Sequence, residues 1–177
     1  LLVTGWVEAR GARAGTVKGK TMNDKVVIVS GVGGRGQMGY ALVEAFLDAG
    51  ARVVATGSSD AVVELAEELS GRGEIVGLAA DLLEAAEAER VVATAVERFG
   101  GVDVLVNVAG GLTVIRPLAE TTPEEWEREV DRNARTAFLL SRAALPHLRE
   151  RRGAIVNFAS PAGLRAAAGV GAYSAGK

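Results

Sequence analysis

The chain contains no cysteine, so neither a disulfide framework nor a thiolate metal site is open to it. Its one histidine, His147, cannot alone build a metal site or a nucleophile–base–acid triad, and no metal site is expected. No sign of charge dominates: 20 basic residues against 22 acids leave a formal charge of −2. Without a basic block, neither nucleic acid nor an anionic membrane is an expected partner. No apolar run approaches the length of a membrane span. Aliphatic residues and glycine are plentiful, with 49% hydrophobic residues and 23 glycines in 177 positions. That is the composition of one globular domain with a real core. A cysteine-free chain also suits a reducing cytoplasm, the expected location.

The stretch from Val26 to Gly39 organises the rest. Val26-Val27-Ile28-Val29 is a β-branched run that reads as a buried strand. Five glycines follow within nine residues (Gly31, Gly33, Gly34, Gly36 and Gly39), and helical spacing resumes at Tyr40–Leu47. Strand, glycine turn and helix make an anion site, because glycines admit a phosphate to the backbone and the helix start offers free N–H groups. A plain tight connection is the competing reading, since short glycine motifs occur by chance.

Further apolar runs at Ala51–Thr56, Glu74–Ala79, Val102–Asn107 and Ala154–Phe158 read as strands. Helices are expected over Ala61–Ser70, with Ser59 or Asp60 as cap, and over Leu83–Phe99. Another should begin at Thr122-Pro123-Glu124-Glu125 and run, with a break near Pro146, to the stop at Gly153. Its acids Glu124, Glu125, Glu127 and Glu129 read as a solvated face, and Trp126 as a packing residue against the sheet or an oligomer partner. The alternation predicts an α/β doubly wound, Rossmann-type parallel sheet of about five strands in the order 3-2-1-4-5, with helices on both faces. Residues 1–22 are expected to be a disordered or non-native tail, and 23–177 the dinucleotide-binding domain.

Ligands of such sheets bind beyond the carboxyl ends of the strands. Those ends carry Gly31, Gly57, Asp81, Asn107 and Ser160. Asp81 could accept a bond from an adenine amine or simply cap a helix; Asn107-Val108-Ala109-Gly110 could lie under a ribose or only steady a strand. Tyr173 follows Ser160 by thirteen residues and Lys177 follows Tyr173 by four. Four residues along a helix put phenol and ammonium on one face. The ammonium favours phenolate, so Tyr173 could exchange a proton with a carbonyl or alcohol oxygen near neutral pH.

On these residues the chain, from about Lys25 to Lys177, resembles the short-chain dehydrogenase/reductase family. Asn107-Val108-Ala109-Gly110 is similar to the family's N-N-A-G, with valine for the second asparagine. Asn133 matches its tetrad asparagine, and Ser160, Tyr173 and Lys177 match its S-x12-Y-x3-K. The resemblance implies an NAD(P)-dependent oxidoreductase interconverting a ketone or aldehyde and an alcohol. Tyr173 would be the acid/base, Ser160 would polarise the substrate oxygen, Lys177 would tune the tyrosine and hold the nicotinamide ribose, and Asn133 would support a proton-relaying water. Homo-oligomers through the long helix are implied too.

Two departures accompany the likeness. The family's T-G-x3-G-x-G turn is two residues longer here, and Gln37 falls where the middle glycine belongs. The family also continues well past its lysine, so the chain reads as a fragment, with Tyr173–Lys177 expected to fray and the fifth strand to be a bare apolar edge. Cofactor contacts are expected from Gly31, Gly33, Gly34, Arg35, Gly36, Met38, Gly39, Gly57, Ser58, Asp81, Leu82, Asn107, Ala109, Gly110, Tyr173 and Lys177. Thr56-Gly57-Ser58-Ser59 lacks the acid that would bond a ribose 2′-hydroxyl, and Arg35 could face a 2′-phosphate, so NADP is expected over NAD. The rival readings are a non-catalytic dinucleotide-binding module and an inactive fragment.

Overall fold

The computed structural model describes residues 22–165 and 167–177. The expected tail therefore lies outside the described residues, except for Met22. That residue belongs to the fold: its N–H bonds Ala49 O at 2.8 Å and its side chain packs on the core.

Five parallel strands form one sheet: β1 (Val26–Ser30), β2 (Arg52–Gly57), β3 (Ile75–Ala79), β4 (Val104–Asn107) and β5 (Ala154–Asn157). Their order is β3-β2-β1-β4-β5, as expected. The helices are α1 (Met38–Asp48), α2 (Ala61–Leu69), α3 (Ala85–Phe99), α4 (Pro123–Val130), α5 (Thr136–Arg151) and α6 (Gly171–Gly176).

Every residue of the central strand β1 is buried, as a parallel strand covered on both faces requires. Its side chains alternate between two cores. Val26 and Ile28 join Leu105, Val91, Leu140 and the α3/α5 face; Val27 and Val29 join Val53, Val43, Val62 and the α1/α2 face. Adjacent strands thus end together, which puts Ser30, Gly57, Ala79 and Asn107 along one edge.

The long helix departs from expectation at three points. Pro146 sits inside α5 without ending it. The break falls at Asp131–Arg135 instead, a π-type turn in which Thr136 N–H bonds Asp131 O five residues back. The Asn133 amide takes the Glu129 carbonyl at 2.8 Å, a side chain standing in for the displaced backbone partner. At the far end Arg152, not Gly153, adopts the left-handed conformation (φ 51°), and Gly153 N–H closes the helix onto Leu148 O.

The acids of α4 are also not the uniformly solvated face expected. Glu125 closes a capping box with Thr122, and Glu129 is wholly buried. Trp126, by contrast, is 40% exposed. The six-residue α6 is too short to persist alone, but Gly176 lies against the α4 backbone, where a Cβ would meet Glu129 O at 3.1 Å. Tertiary contact supplies what its length does not. On β5, Val156 is 45% exposed at the sheet edge. Among the described residues no helix is long and apolar enough to cross a membrane.

Candidate active site

The carboxyl edge of the sheet is built by close approach of backbone to backbone. Gly31 leaves β1 with φ +69°, and a Cβ on it would sit 2.6 Å from Ala109 N. Gly39, in the first turn of α1, lies against Gly31 O, and Gly57 against Val32 O. Only glycine permits either contact. The lengthened turn is thereby resolved: Gln37, in extended conformation, is the residue before α1, and Gly39 is the glycine that packs helix onto strand. Ser30 completes the arrangement. Its buried hydroxyl accepts from Val108 N–H (3.1 Å) and Ala109 N–H (3.2 Å), fastening the β4 turn to β1.

Beyond these contacts opens a cavity of about 420 Å³. Gly31, Gly33, Gly57, Ser58, Asp81, Leu82, Ala109 and Gly110, all expected at the site, line it. Gly34, Arg35, Gly36 and Met38 do not. The Arg35 guanidinium instead pairs with Glu68 of α2 at 2.8 Å. Gln37, Arg132 and Thr136 are lining residues that sequence reasoning missed. Asp81 Oδ1 accepts from Leu83 N–H at 3.0 Å, so it caps the turn before α3 rather than the helix, whose own cap position is Glu84.

A second, smaller cavity of about 150 Å³ lies on the other side of Ala109, lined by Asn107, Asn133, Asn157, Phe158 and Lys177. Asn107 is a tie here: its amide donates to Ser141 Oγ (3.0 Å) and Asn157 Oδ1 (2.8 Å), joining β4 to α5 and β5. Of its two readings, the strand-steadying one is what these bonds describe.

Two of the four tetrad candidates, Asn133 and Lys177, line this cavity; Ser160 and Tyr173 do not. Gly110, at φ +141°, separates Asn133 from Lys177: a Cβ there would stand 2.5 Å from Asn133 Oδ1 and 2.9 Å from Lys177 Nζ. Lys177 Nζ donates to Phe158 O at 3.3 Å. Asn133 is nearly saturated, accepting from Gly111 N–H (2.9 Å) and donating to Gly111 O (3.0 Å) and Glu129 O. The Ser160 turn lies beside the lysine, since a Cβ on Gly163 would meet the Lys177 carbonyl carbon at 2.7 Å. Ser160 Oγ accepts from Ala162 N–H at 3.2 Å, which leaves its hydroxyl proton to donate elsewhere. Tyr173 is half-buried one turn before Lys177, its carbonyl accepting Lys177 N–H at 3.0 Å. Its side chain makes no hydrogen bond among the described residues, to Ser160 or otherwise.

A profile described as short chain dehydrogenase matches residues 25–177. The chain belongs to the short-chain dehydrogenase family. It is 37% identical over 144 residues to 1,6-dihydroxycyclohexa-2,4-diene-1-carboxylate dehydrogenase of Pseudomonas putida, covering 81% of this chain and 53% of that protein. To D-beta-hydroxybutyrate dehydrogenase of Cupriavidus necator it is 35% identical, over 88% of this chain and 60% of that one. The chain thus spans a little over half the length of these curated relatives. A short chain dehydrogenase from Mycobacterium smegmatis superposes with a TM-score of 0.84 at 30% identity, over 90% of this chain and 68% of that one. NADH-dependent reductase A1-R′, solved with NAD, gives 0.80 at 29%, over 88% and 68%.

Proposed function

We propose that this short-chain dehydrogenase chain carries the dinucleotide site and proton-transfer group of an NAD(P)-dependent oxidoreductase interconverting a ketone or aldehyde and an alcohol. The observation that carries the reading is the convergence of Lys177 and Asn133 on Gly110, the residue that also walls the larger cavity. Proton chemistry and the dinucleotide site therefore share one wall.

The residues fit a dinucleotide. Gly31 and Gly33 expose backbone, the cavity is of the size that takes small ligands, and Asp81 Oδ2 accepts no hydrogen bond among the described residues. Gly31, Gly33 and Gln37 would meet the phosphates, Asp81 and Leu82 the adenine, and Lys177 the nicotinamide ribose. When bound, the nicotinamide supplies hydride. The chain's own part is the proton. Tyr173 donates it to the carbonyl oxygen on reduction and accepts it from the alcohol on oxidation. Ser160 donates a hydrogen bond from its free hydroxyl to the same oxygen and keeps its proton. Lys177 spends one donor on Phe158 O and has two left to hold the phenolate and the ribose.

NADP is the proposed preference. No carboxylate occupies Gly57–Ser59, and the Arg35–Glu68 pair is exposed on both sides, so solvent and salt screen it and a 2′-phosphate can compete for it. The structural neighbour A1-R′ is an NADH-dependent reductase; tighter binding of NAD than NADP to the present chain overturns the preference. Association through α5 and a cytoplasmic location complete the reading.

The test is NADPH fluorescence titration followed by turnover across aliphatic, alicyclic and aromatic ketones. Tyr173→Phe should retain cofactor binding and lose at least about 10²-fold in kcat. NADPH binding without reduction of any ketone would favour a non-catalytic nucleotide module.

A further inference from the structure

We infer that Glu129 is a positioning residue that sets the loop over the reacting site, a reading that rests on the activity proposed above. Glu125, Glu129 and Asn133 recur every four residues on α4 and its π-type extension, and so share one face. Each holds a different part of the loop after β4. Asn133 makes two bonds to Gly111, at 2.9 and 3.0 Å. Glu129 Oε1 accepts from Thr113 N–H at 2.8 Å and from the Thr113 hydroxyl. Glu125 pairs with Arg116 at 3.3 Å. The loop therefore runs antiparallel along the helix, held by three rungs. Its last rung touches the approach to α6: Arg116 N–H donates to Gly169 O at 2.7 Å, two residues before the helix that bears Tyr173.

The middle rung is the unusual one. Glu129 is 0% exposed, and its Oε2 has no hydrogen-bond partner. A sealed carboxylate is costly, and an apolar side chain of like volume would fill the space at less cost. What the apolar side chain would lack is an acceptor for Thr113. Both donors on the carboxylate come from that one residue, so loop position and carboxylate are coupled. Glu129 lines neither cavity, so its effect reaches substrate through the loop and not through the cofactor.

The experiment compares Glu129→Gln, Glu129→Leu and Thr113→Val in the same chain. Glutamine keeps the acceptor and should keep KM near wild type. Leucine should raise KM for the panel ketone turned over fastest by roughly tenfold or more, as expected when a loop shifts by part of an ångström. NADPH Kd should stay unchanged, and amide exchange over Gly111–Arg116 should quicken. Glu129→Leu combined with Thr113→Val should be no worse than the leucine variant alone. Unchanged KM and exchange in Glu129→Leu overturns the inference. So does a rise in NADPH Kd matching the rise in KM, which marks a general loosening. Absence of turnover in the wild-type chain refutes the proposed activity instead, and amide exchange then decides the clamp alone.

Discussion

Gly31 and Gly36 both have positive φ, +69° and +81°, yet only the first is crowded: nothing lies within 4 Å of a Cβ on Gly36. Alanine at Gly36 therefore incurs only the left-handed backbone penalty, about 1 kcal/mol. Alanine at Gly31 adds a collision with the Ala109 backbone, and the β4 turn must move. Urea titration should show Gly31→Ala destabilised by about 3 kcal/mol or more, with NADPH binding lost. Gly36→Ala should bind within a few-fold of wild type; equal effects from the two would mean the close approach is unimportant. Glycines were visible in the sequence, but which of them touch what was not. Their neighbours, Ala109 and Val32, come from distant or folded-back segments. Ser30 is illegible for the same reason, since a serine ending a strand looks like any other until Val108 and Ala109 arrive at its hydroxyl. Arg132 is not legible as a lining residue, because helix periodicity says which face a residue is on and nothing about what lies opposite.

At the scale of elements, Asp103 fastens the amino end of the sheet. It is 5% exposed, and its carboxylate accepts from Lys25 Nζ (2.9 Å), Val26 N–H (3.0 Å) and Arg151 (3.1 Å), tying the start of β1, the approach to β4 and the end of α5. Burial pushes its pKa up, but the Val26 N–H, Lys25 and Arg151 outweigh that and hold it below the ordinary carboxylate value. A folded-state pKa beneath the unfolded one contributes stability above the unfolded value, about 3.9, and that stability is lost as pH falls through the folded value. Asp103→Asn should lose about 2–3 kcal/mol at pH 7, less than a fully buried pair because both cations remain partly in water. Urea midpoints should converge with wild type below about pH 4. A gap that does not change with pH would refute the electrostatic origin. This tie was not visible in the chain, because Asp103 falls inside the run Val102–Asn107 that reads as a strand, and nothing in that run says which cations lie opposite its carboxylate. The elements it joins were: β-branched runs marked the strands to within two residues. The π-type turn was hidden, since its cause is the Asn133 side chain competing for a backbone carbonyl.

For the molecule as a whole, strand order followed from alternation and the right-handed crossover rule, and most of the cavity from where strands end. Surfaces are a different matter, because burial against another copy leaves no periodic mark distinct from burial within one. Phe138 is 61% exposed and Leu145 41%, seven residues apart and so on one stripe of α5, while Trp126 of α4 is 40% exposed. Large apolar side chains grouped on a helical face are the pattern of a protein contact. The edge strand β5, with Val156 45% exposed, offers a second route by strand addition. The two routes separate by mutation. If α5 mediates association, sedimentation velocity at micromolar concentration should give a dimer or larger for the wild-type chain, and Phe138→Glu with Leu145→Glu should give a monomer with an unchanged far-UV spectrum. Val156→Lys should leave that assembly intact. A monomeric wild type, or an assembly that survives the α5 pair and yields to Val156→Lys, would move the contact from the helices to the sheet edge or remove it altogether.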